Sequence, residues 1–413
     1  MTTKQSSLGP KSFKKLKKIN GVSVASTYCG LKKNKKDDLV LITFSQPGKI
    51  YGVFTKSNTP GEPIIWNKSI INKAKVSAIL INSGNANVFN GKKGKISVEK
   101  ILKKLSKEMR IDPSEIYLAS TGVIGEPLEY SKIISKIPSL IQKLNNKSES
   151  WIKAANAIRT TDTYPKYHSE KIQIKKNKQI FINGLAKGSG MIAPNMATML
   201  AFISTDIKIS KPILQKILEE VNEETFNAIT VDGDTSTSDT VIISATGMAE
   251  NKIIKSKKDK HYEKFKSALY TISKDLALQI VRDGEGASKL ISVRVAGTKN
   301  KKISKKIAFS IANSPLVKTA ISAEDANWGR IIMAIGKTRE IFNNKKLKIY
   351  LGKYLITSNG KRHDSYSENK VSKYMKNSEI EIYVEFGSKR NEASVWTCDL
   401  THKYIDINGS YRS

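Results

Sequence analysis

The chain has 413 residues, 39% of them hydrophobic and 26% charged. That is enough apolar material for a sizeable core, spread over two or three domains at ~100–200 residues each, and it excludes disorder along the whole length. No run approaches the ~18 consecutive apolar residues of a membrane span, and two cysteines, Cys29 and Cys398, exclude a disulfide scaffold and argue against a Cys-based zinc site. The net charge of +34 raises nucleic acid as a partner, but 62 of the 71 basic residues are Lys and 9 are Arg. Arg carries bidentate recognition of bases and phosphates, and the lysines sit in runs such as Lys32-Lys33-Asn34-Lys35-Lys36 between apolar segments. The excess therefore reads as solvated surface, with neither nucleic acid nor membrane expected as a partner. Met1–Asn20 is basic and polar, lacks the apolar core of a secretory signal, and no Arg precedes Arg110; the cytoplasm and a reducing environment are expected.

Along the chain, strand-like runs alternate with helical patterns, which predicts an α/β (α+β) class. Leu39–Phe44 and Val76–Ile81 read as strands. Ser97–Arg110 reads as a helix with Ile101, Leu102 and Leu105 on one face, and residues 131–144 as a second helix interrupted at Pro138. Ser210 and Pro212 open a helix whose face carries Leu214, Ile217, Leu218 and Val221, with Ser210 the expected N-cap. Phe265–Val281 reads as helix. Beyond Glu285 the texture turns β-rich, with strands at Ile291–Val295, Leu347–Leu351 and Ile380–Phe386; the run Ile331–Ile335 is also strand-sized. About 290–413 is taken as a smaller C-terminal domain.

Five loops rich in Gly, Asn and small residues break this pattern: 82–87, 120–125, 187–195, 232–237 and 283–286. Small residues let backbone N–H groups approach a ligand closely, so a site shared among these loops is expected. In the segment 187–207 a Gly-rich loop runs through Pro194 into Met196–Ile203, placing Thr198 at the mouth of an apolar strand. A threonine hydroxyl needs a base to become a nucleophile, and His168, His261, His363 and His402 lie in polar, Lys-rich or terminal surroundings. Cleavage between Ala197 and Thr198 would free an α-amine on Thr198 to serve as that base.

The run Lys187-Gly188-Ser189-Gly190-Met191-Ile192-Ala193-Pro194-Asn195-Met196-Ala197-Thr198-Met199-Leu200 resembles the self-cleavage signature of the ornithine acetyltransferases, the ArgJ family of glutamate N-acetyltransferases. The resemblance extends through Ser83–Asn87, Ser120–Gly125, Thr160–Lys166, Val231–Thr237, Asp283–Ala287, Asn327–Arg330 and the terminal Asn408–Ser413. It implies a layered DmpA/ArgJ-like sandwich with an N-terminal threonine nucleophile, cut into an α chain (1–197) and a β chain (198–413) that assemble as two α and two β. It implies acetyl transfer from N-acetylornithine to glutamate in arginine biosynthesis, through an acetyl-Thr198 intermediate. Thr121 and Gly122 would stabilise the oxyanion; Thr161, Lys187, Thr198, Glu285, Asn408 and Ser413 would contact substrate. By charge, Lys187 suits a carboxylate and Glu285 an ammonium. No cofactor or metal is implied, and acetyl-CoA stays open as a second acetyl donor.

Three other readings compete. The run Ile229–Thr235 fits an Asp-x-Asp-x-Thr phosphatase pattern, with Asp232 as phosphoryl acceptor and magnesium nearby. A threonine-nucleophile amidase would share the cleavage chemistry but release acetate to water. An RNA-associated protein would bind with steep salt dependence.

Overall fold

The computed structural model describes residues 5–13, 15–176, 178–193 and 199–409. Fourteen strands fall in two sheets among these residues. The first sheet holds β1 (Val22–Thr27), β2 (Leu39–Phe54), β3 (Lys75–Asn85), β4 (Ile116–Val123), β5 (Lys166–Lys175), β6 (Lys178–Lys187), β7 (Leu200–Thr205) and β8 (Thr240–Ala245). Its hydrogen-bonded order is β4-β3-β2-β8-β7-β6-β5, with β1 also paired to β2.

This sheet cannot be flat. In a flat sheet β4 and β6 would stand five strand spacings apart, about 24 Å. Yet Lys187 Nζ at the end of β6 lies 3.2 Å from Thr121 Oγ1 at the end of β4. The fold-over occurs in β2, where the register against β3 breaks between Thr43 and Gly48 around Pro47, a residue with no N–H to donate. Before the break β2 pairs with β1 and β3; beyond it β2 pairs with β3 only at Gly48 and Lys49, and Lys49–Phe54 pair with β8. Two leaves result, and they face each other across one core. Val40, Ile42, Ile79 and Ile81 of the first leaf pack with Leu185, Leu200, Phe202 and Ile242 of the second. Trp151 and Ala154 of helix Ser148–Ala157 join the same cluster.

Period-2 alternation gives each leaf a second apolar face, and helices cover it. Helices Gly91–Met109 and Tyr130–Gln142 pack on Leu39, Leu41, Leu80 and Leu118. Helices Lys211–Glu224 and Tyr262–Arg282 pack on Ile182, Ile203, Val241 and Ile243. The expected layered sandwich is therefore helix, sheet, sheet, helix. The second sheet, order β12-β11-β10-β13-β9-β14, comprises β9 (Leu290–Ala296), β10 (Leu347–Leu351), β11 (Tyr354–Ser358), β12 (Lys361–Arg362), β13 (Glu379–Phe386) and β14 (Ala393–Cys398), with its own core.

Several sequence expectations need correction. The helix expected from Ser97 begins at Gly91, because its first turns are polar and carry no face to read. Pro138 does not interrupt its helix, which runs on to Gln142; burial of Ile133, Ile137 and Leu140 outweighs the lost backbone bond. Ser210 stands at the N-cap position but makes no side-chain capping bond. The run Ile331–Ile335 is helical, within Trp328–Gly336: Ile331, Ala334 and Ile335 are buried at i, i+3, i+4, while Ile332 and Met333 face out. With helices at Lys301–Ala312, Pro315–Ser322 and Glu368–Met375 as well, the C-terminal region is mixed rather than β-rich.

Phe202 is 1% exposed between the leaves. Phe202→Ala is expected to cost ~3–5 kcal/mol and lower the thermal midpoint. Phe89→Ala, at a side chain 82% exposed, should stay within about 0.5 kcal/mol of wild type in the same melt.

Candidate active site

Folding the sheet over brings strand ends from both leaves to one edge. The first leaf contributes the ends of β3 and β4, and the second the end of β6 and the starts of β7 and β8. A cleft of about 220 Å³ opens there, and each of the five small-residue loops contributes to its lining. Thr121, Gly122, Thr161, Lys187, Glu285 and Asn408 all line it. Ala197, Thr198 and Ser413 lie outside the described residues; Met199, the next described residue, is buried at the start of β7.

Gly122 has φ +134°, and a Cβ there would meet the carbonyl carbon of Gly84 at 2.3 Å, so only glycine fits where β4 leaves β3. Thr121 beside it is 3% exposed. Lys187 is unlike the surface lysines of the sequence. It is 4% exposed, and its Nζ donates to Thr160 Oγ1 at 2.8 Å and Thr121 Oγ1 at 3.2 Å. Because Thr121 accepts that bond, its own hydroxyl hydrogen stays available to donate. Burial pushes the Lys187 ammonium down from its ordinary pKa; Asp162, Glu285 and Asp239 oppose the shift, and Lys166 adds to it.

Glu285 lines the same cleft as Lys187, and each feels the other's charge. Burial raises its carboxyl above the ordinary range, against hydrogen bonds from Asn408 and Thr161. Asn408 Nδ2 donates to Glu285 Oε2 at 2.7 Å, which ties the C-terminal helix His402–Gly409 to the cleft. Thr161 Oγ1 lies 2.7 Å from Ser189 Oγ, and the Glu285 N–H donates to the Ser189 carbonyl. A Cβ on Gly190 would stand 2.3 Å from Glu285 Oε2, so the Gly-rich loop must be bare at that point.

Beneath these groups lies a charge cluster that the sequence did not single out. Lys166 Nζ is 2.6 Å from Asp162 Oδ1 and 2.5 Å from Asp283 Oδ2, with all three side chains fully buried. Asp162 also accepts from the Gly188 N–H at 2.7 Å and the Thr160 N–H at 2.9 Å. Asp283 accepts from the Thr163 N–H at 2.9 Å. Burial works against the Asp162 anion, but Lys166, Lys187 and the Gly188 N–H together hold its carboxyl well below the usual range. Burial wins at Asp283, whose carboxyl is raised although Lys166 pulls against it. Both acids sit inside runs already noted, Thr160–Lys166 and Asp283–Ala287, but nothing in the spacing links positions more than a hundred residues apart.

Asp232, the acceptor of the phosphatase reading, is occupied otherwise. Its carboxylate receives the Met191 N–H at 2.6 Å and the Ile192 N–H at 2.8 Å, so it pins the Gly-rich loop, where Met191 has φ +56°. Among the described residues no group of three or more His, Cys, Asp or Glu could hold a metal, and no helix is long and apolar enough to cross a membrane.

The molecule is thus a four-layer α/β sandwich with a threonine-, glycine- and lysine-lined cleft at the strand ends. Residues 23–413 match the model of the ArgJ family. The chain is 45% identical over 416 residues to the arginine biosynthesis bifunctional protein ArgJ of Mesorhizobium japonicum, and 44% identical over 413 residues to that of Bartonella henselae, covering 100% of each chain in both cases. A crystal structure of the bifunctional ArgJ protein of Bacillus halodurans is 40% identical, covering 51% of this chain and 98% of that one, with a TM-score of 0.49. The chain belongs to the ArgJ family.

Lys166→Met would leave two buried carboxylates facing each other, at an expected cost of ~3–5 kcal/mol at pH 7. In the wild type Asp162 has a depressed pKa. Its contribution is present above the unfolded carboxylate pKa of ~3.9 and is lost as pH falls through the folded value. In the variant both acids favour the protonated form, so the deficit in unfolding free energy should shrink between pH 7 and pH 4. An equal deficit at both values would show that the charge cluster is not its source.

Proposed function

We propose that this chain is a self-cleaving acetyltransferase that moves acetyl from N2-acetylornithine to glutamate, with Thr198 as nucleophile. The observation that carries the reading is the single cleft holding Thr121, Gly122, Thr161, Lys187, Glu285 and Asn408, at the edge where β7 begins. In the proposed sequence the chain is cut between Ala197 and Thr198, giving α and β chains of residues 1–197 and 198–413 that assemble as two of each. The Thr198 hydroxyl adds to the acetyl carbonyl while its proton passes to the new α-amine. The intermediate's oxyanion is met by the Thr121 hydroxyl and the Gly122 N–H, and removing one such donor typically costs ~10²–10³-fold in rate. The C–N bond then breaks, the proton leaves on the ornithine nitrogen, and Thr198 keeps the acetyl group. The glutamate amine attacks this ester and the same steps run in reverse, releasing N-acetylglutamate.

The charges suit these substrates. Lys187, with no carboxylate within hydrogen-bond distance among the described residues, would take a substrate α-carboxylate, and Glu285, held by Asn408, would take the ornithine side-chain ammonium. Thr161, Asn408 and Ser413 would complete the substrate contacts. Acetyl-CoA would serve as a second acetyl donor to the same threonine, with no further cofactor, and the cytoplasm is the proposed location.

Intact mass spectrometry of the denatured protein should give two chains, the second starting at Thr198. Thr198→Ala should stay whole and transfer no acetyl, whereas Thr198→Ser should keep some cleavage. Acetyl transfer by an uncut Thr198→Ala protein would sink the mechanism. Glu285→Ala should be cut nearly as wild type but lose most transfer, read as N-acetylglutamate formed; acetate as the main wild-type product would favour the amidase reading. Acetylation of glutamate from acetyl-CoA should vanish in Thr198→Ala together with transfer from acetylornithine.

A further inference from the structure

In the proposed reaction two ligands of opposite side-chain charge use one cleft. N2-acetylornithine ends in an ammonium and the acceptor glutamate in a carboxylate, and both end groups sit on the δ carbon. With each α-carboxylate at Lys187 and each α-nitrogen at the acetyl group, the two ends reach the same wall. Glu285 is the group assigned above to the ornithine ammonium, so an incoming glutamate would set a carboxylate against a carboxylate.

Glu285 is 8% exposed and forms no ion pair among the described residues. Asn408 Nδ2 donates to its Oε2 at 2.7 Å, and the Thr161 side chain bonds the same carboxyl. A carboxyl offers about four lone-pair positions, so these two donors leave room for a proton. Lys187 acts on it only through space, because its Nζ is held by the hydroxyls of Thr121 and Thr160. Asp232, ahead of β8, adds a like charge, and Tyr404 of the helix His402–Gly409 brings a phenol, its hydroxyl 3.3 Å from Asp232 Oδ2. The Ser189–Gly190 backbone closes another side. Burial therefore raises the Glu285 carboxyl, Asn408 and Thr161 pull it back, Asp232 raises it further and Lys187 lowers it.

Two ionised carboxylates about 4 Å apart, at an effective dielectric constant of about 20, weaken binding ~10³-fold. Protonating an ordinary glutamate carboxyl, of pKa ~4.3, costs ~500-fold at pH 7, and each unit by which burial raises it removes a factor of about ten. Taking up a proton is the smaller cost. The acid then donates a hydrogen bond where its anion would have repelled.

We propose that Glu285 changes protonation state between the two halves of the reaction: ionised against the ornithine ammonium, protonated against the side-chain carboxylate of glutamate. The inference rests on the acetylornithine–glutamate reading above and gives the means by which one subsite serves both substrates. The balance is one proton. It enters from solvent with glutamate, sits on Glu285 and hydrogen-bonds the substrate carboxylate, and returns to solvent when N-acetylglutamate leaves. No covalent bond to Glu285 forms.

N-acetylglutamate and N2-acetylornithine are matched probes, since each carries an α-carboxylate and an acetylated α-nitrogen and they differ at the side-chain end. The readouts are the KM of acetylornithine and the inhibition constant of N-acetylglutamate against it, from pH 6 to pH 9. The inhibition constant should weaken by up to about tenfold per pH unit above the pKa of Glu285, while the KM does not follow, so their ratio rises with pH. Loss of charge at Lys187 would weaken both ligands alike and leave the ratio flat. Glu285→Gln carries no charge and donates through its amide at every pH. It should flatten the ratio, keep N-acetylglutamate within about threefold of its wild-type strength at pH 6, and raise the KM of acetylornithine ~10-fold or more. A wild-type ratio that does not change with pH overturns the proposal, as does a Gln variant that weakens N-acetylglutamate as much as acetylornithine. A wild-type protein that moves no acetyl from acetylornithine to glutamate would instead overturn the reading beneath it.

Discussion

The bend in β2 is the constraint on which the rest of the molecule depends. One strand of sixteen residues belongs to both leaves, and the break between Thr43 and Gly48 turns one hydrogen-bonded sheet into two facing layers. Every later feature uses that turn. It creates the apolar space that Phe202 and Trp151 fill, and it leaves two outer faces for four helices. It also carries the end of β4 to within hydrogen-bond distance of the end of β6, which no arrangement of flat neighbours could do. A cleft assembled across two leaves is held by both, and its groups are rigid for the same reason that the core is close-packed.

Charge inside this cleft is organised in two tiers. Asp162, Lys166 and Asp283 form a closed buried set with their hydrogen bonds satisfied by neighbouring backbone, and they fix the Thr160–Thr163 turn, Gly188 and the approach to Glu285. Above them, Lys187 and Glu285 are buried but incompletely paired, and their protonation equilibria are displaced accordingly. Incomplete pairing is costly in a folded protein, and groups displaced in this way cluster at functional sites. The satisfied tier locates the incomplete one, in the way a second layer of contacts orients a functional site.

Much of the site was legible in the residues. The loops at 82–87, 120–125, 187–195, 232–237 and 283–286 stood out because small residues interrupted apolar patterning, and all five line one cleft. Lys187 could not be told from sixty-one other lysines by composition; only the run it opens drew notice, and its burial at the end of β6 follows from pairing with β5 and β7. Secondary structure was legible where periodicity was long, as at Lys211–Glu224, and misleading where it was short. Ile331–Ile335 is too brief a run to separate period 2 from period 3.6.

The sequence by itself determined the α/β class, the places where chain patterning yields to small-residue loops, and membership of a family whose motifs run through to the C-terminus. These are local or linear properties, set by side-chain period, by glycine's freedom at positions such as Gly122, and by runs of consecutive residues. Which loops meet, which lysine is buried, and which carboxylates share a proton-bearing partner were decided only by the tertiary structure. Those outcomes depend on where β2 turns and how two leaves register across their core. Contacts between residues more than a hundred positions apart, Lys166 with Asp283 or Tyr164 with Gln279, are products of packing and leave no periodic trace along the chain.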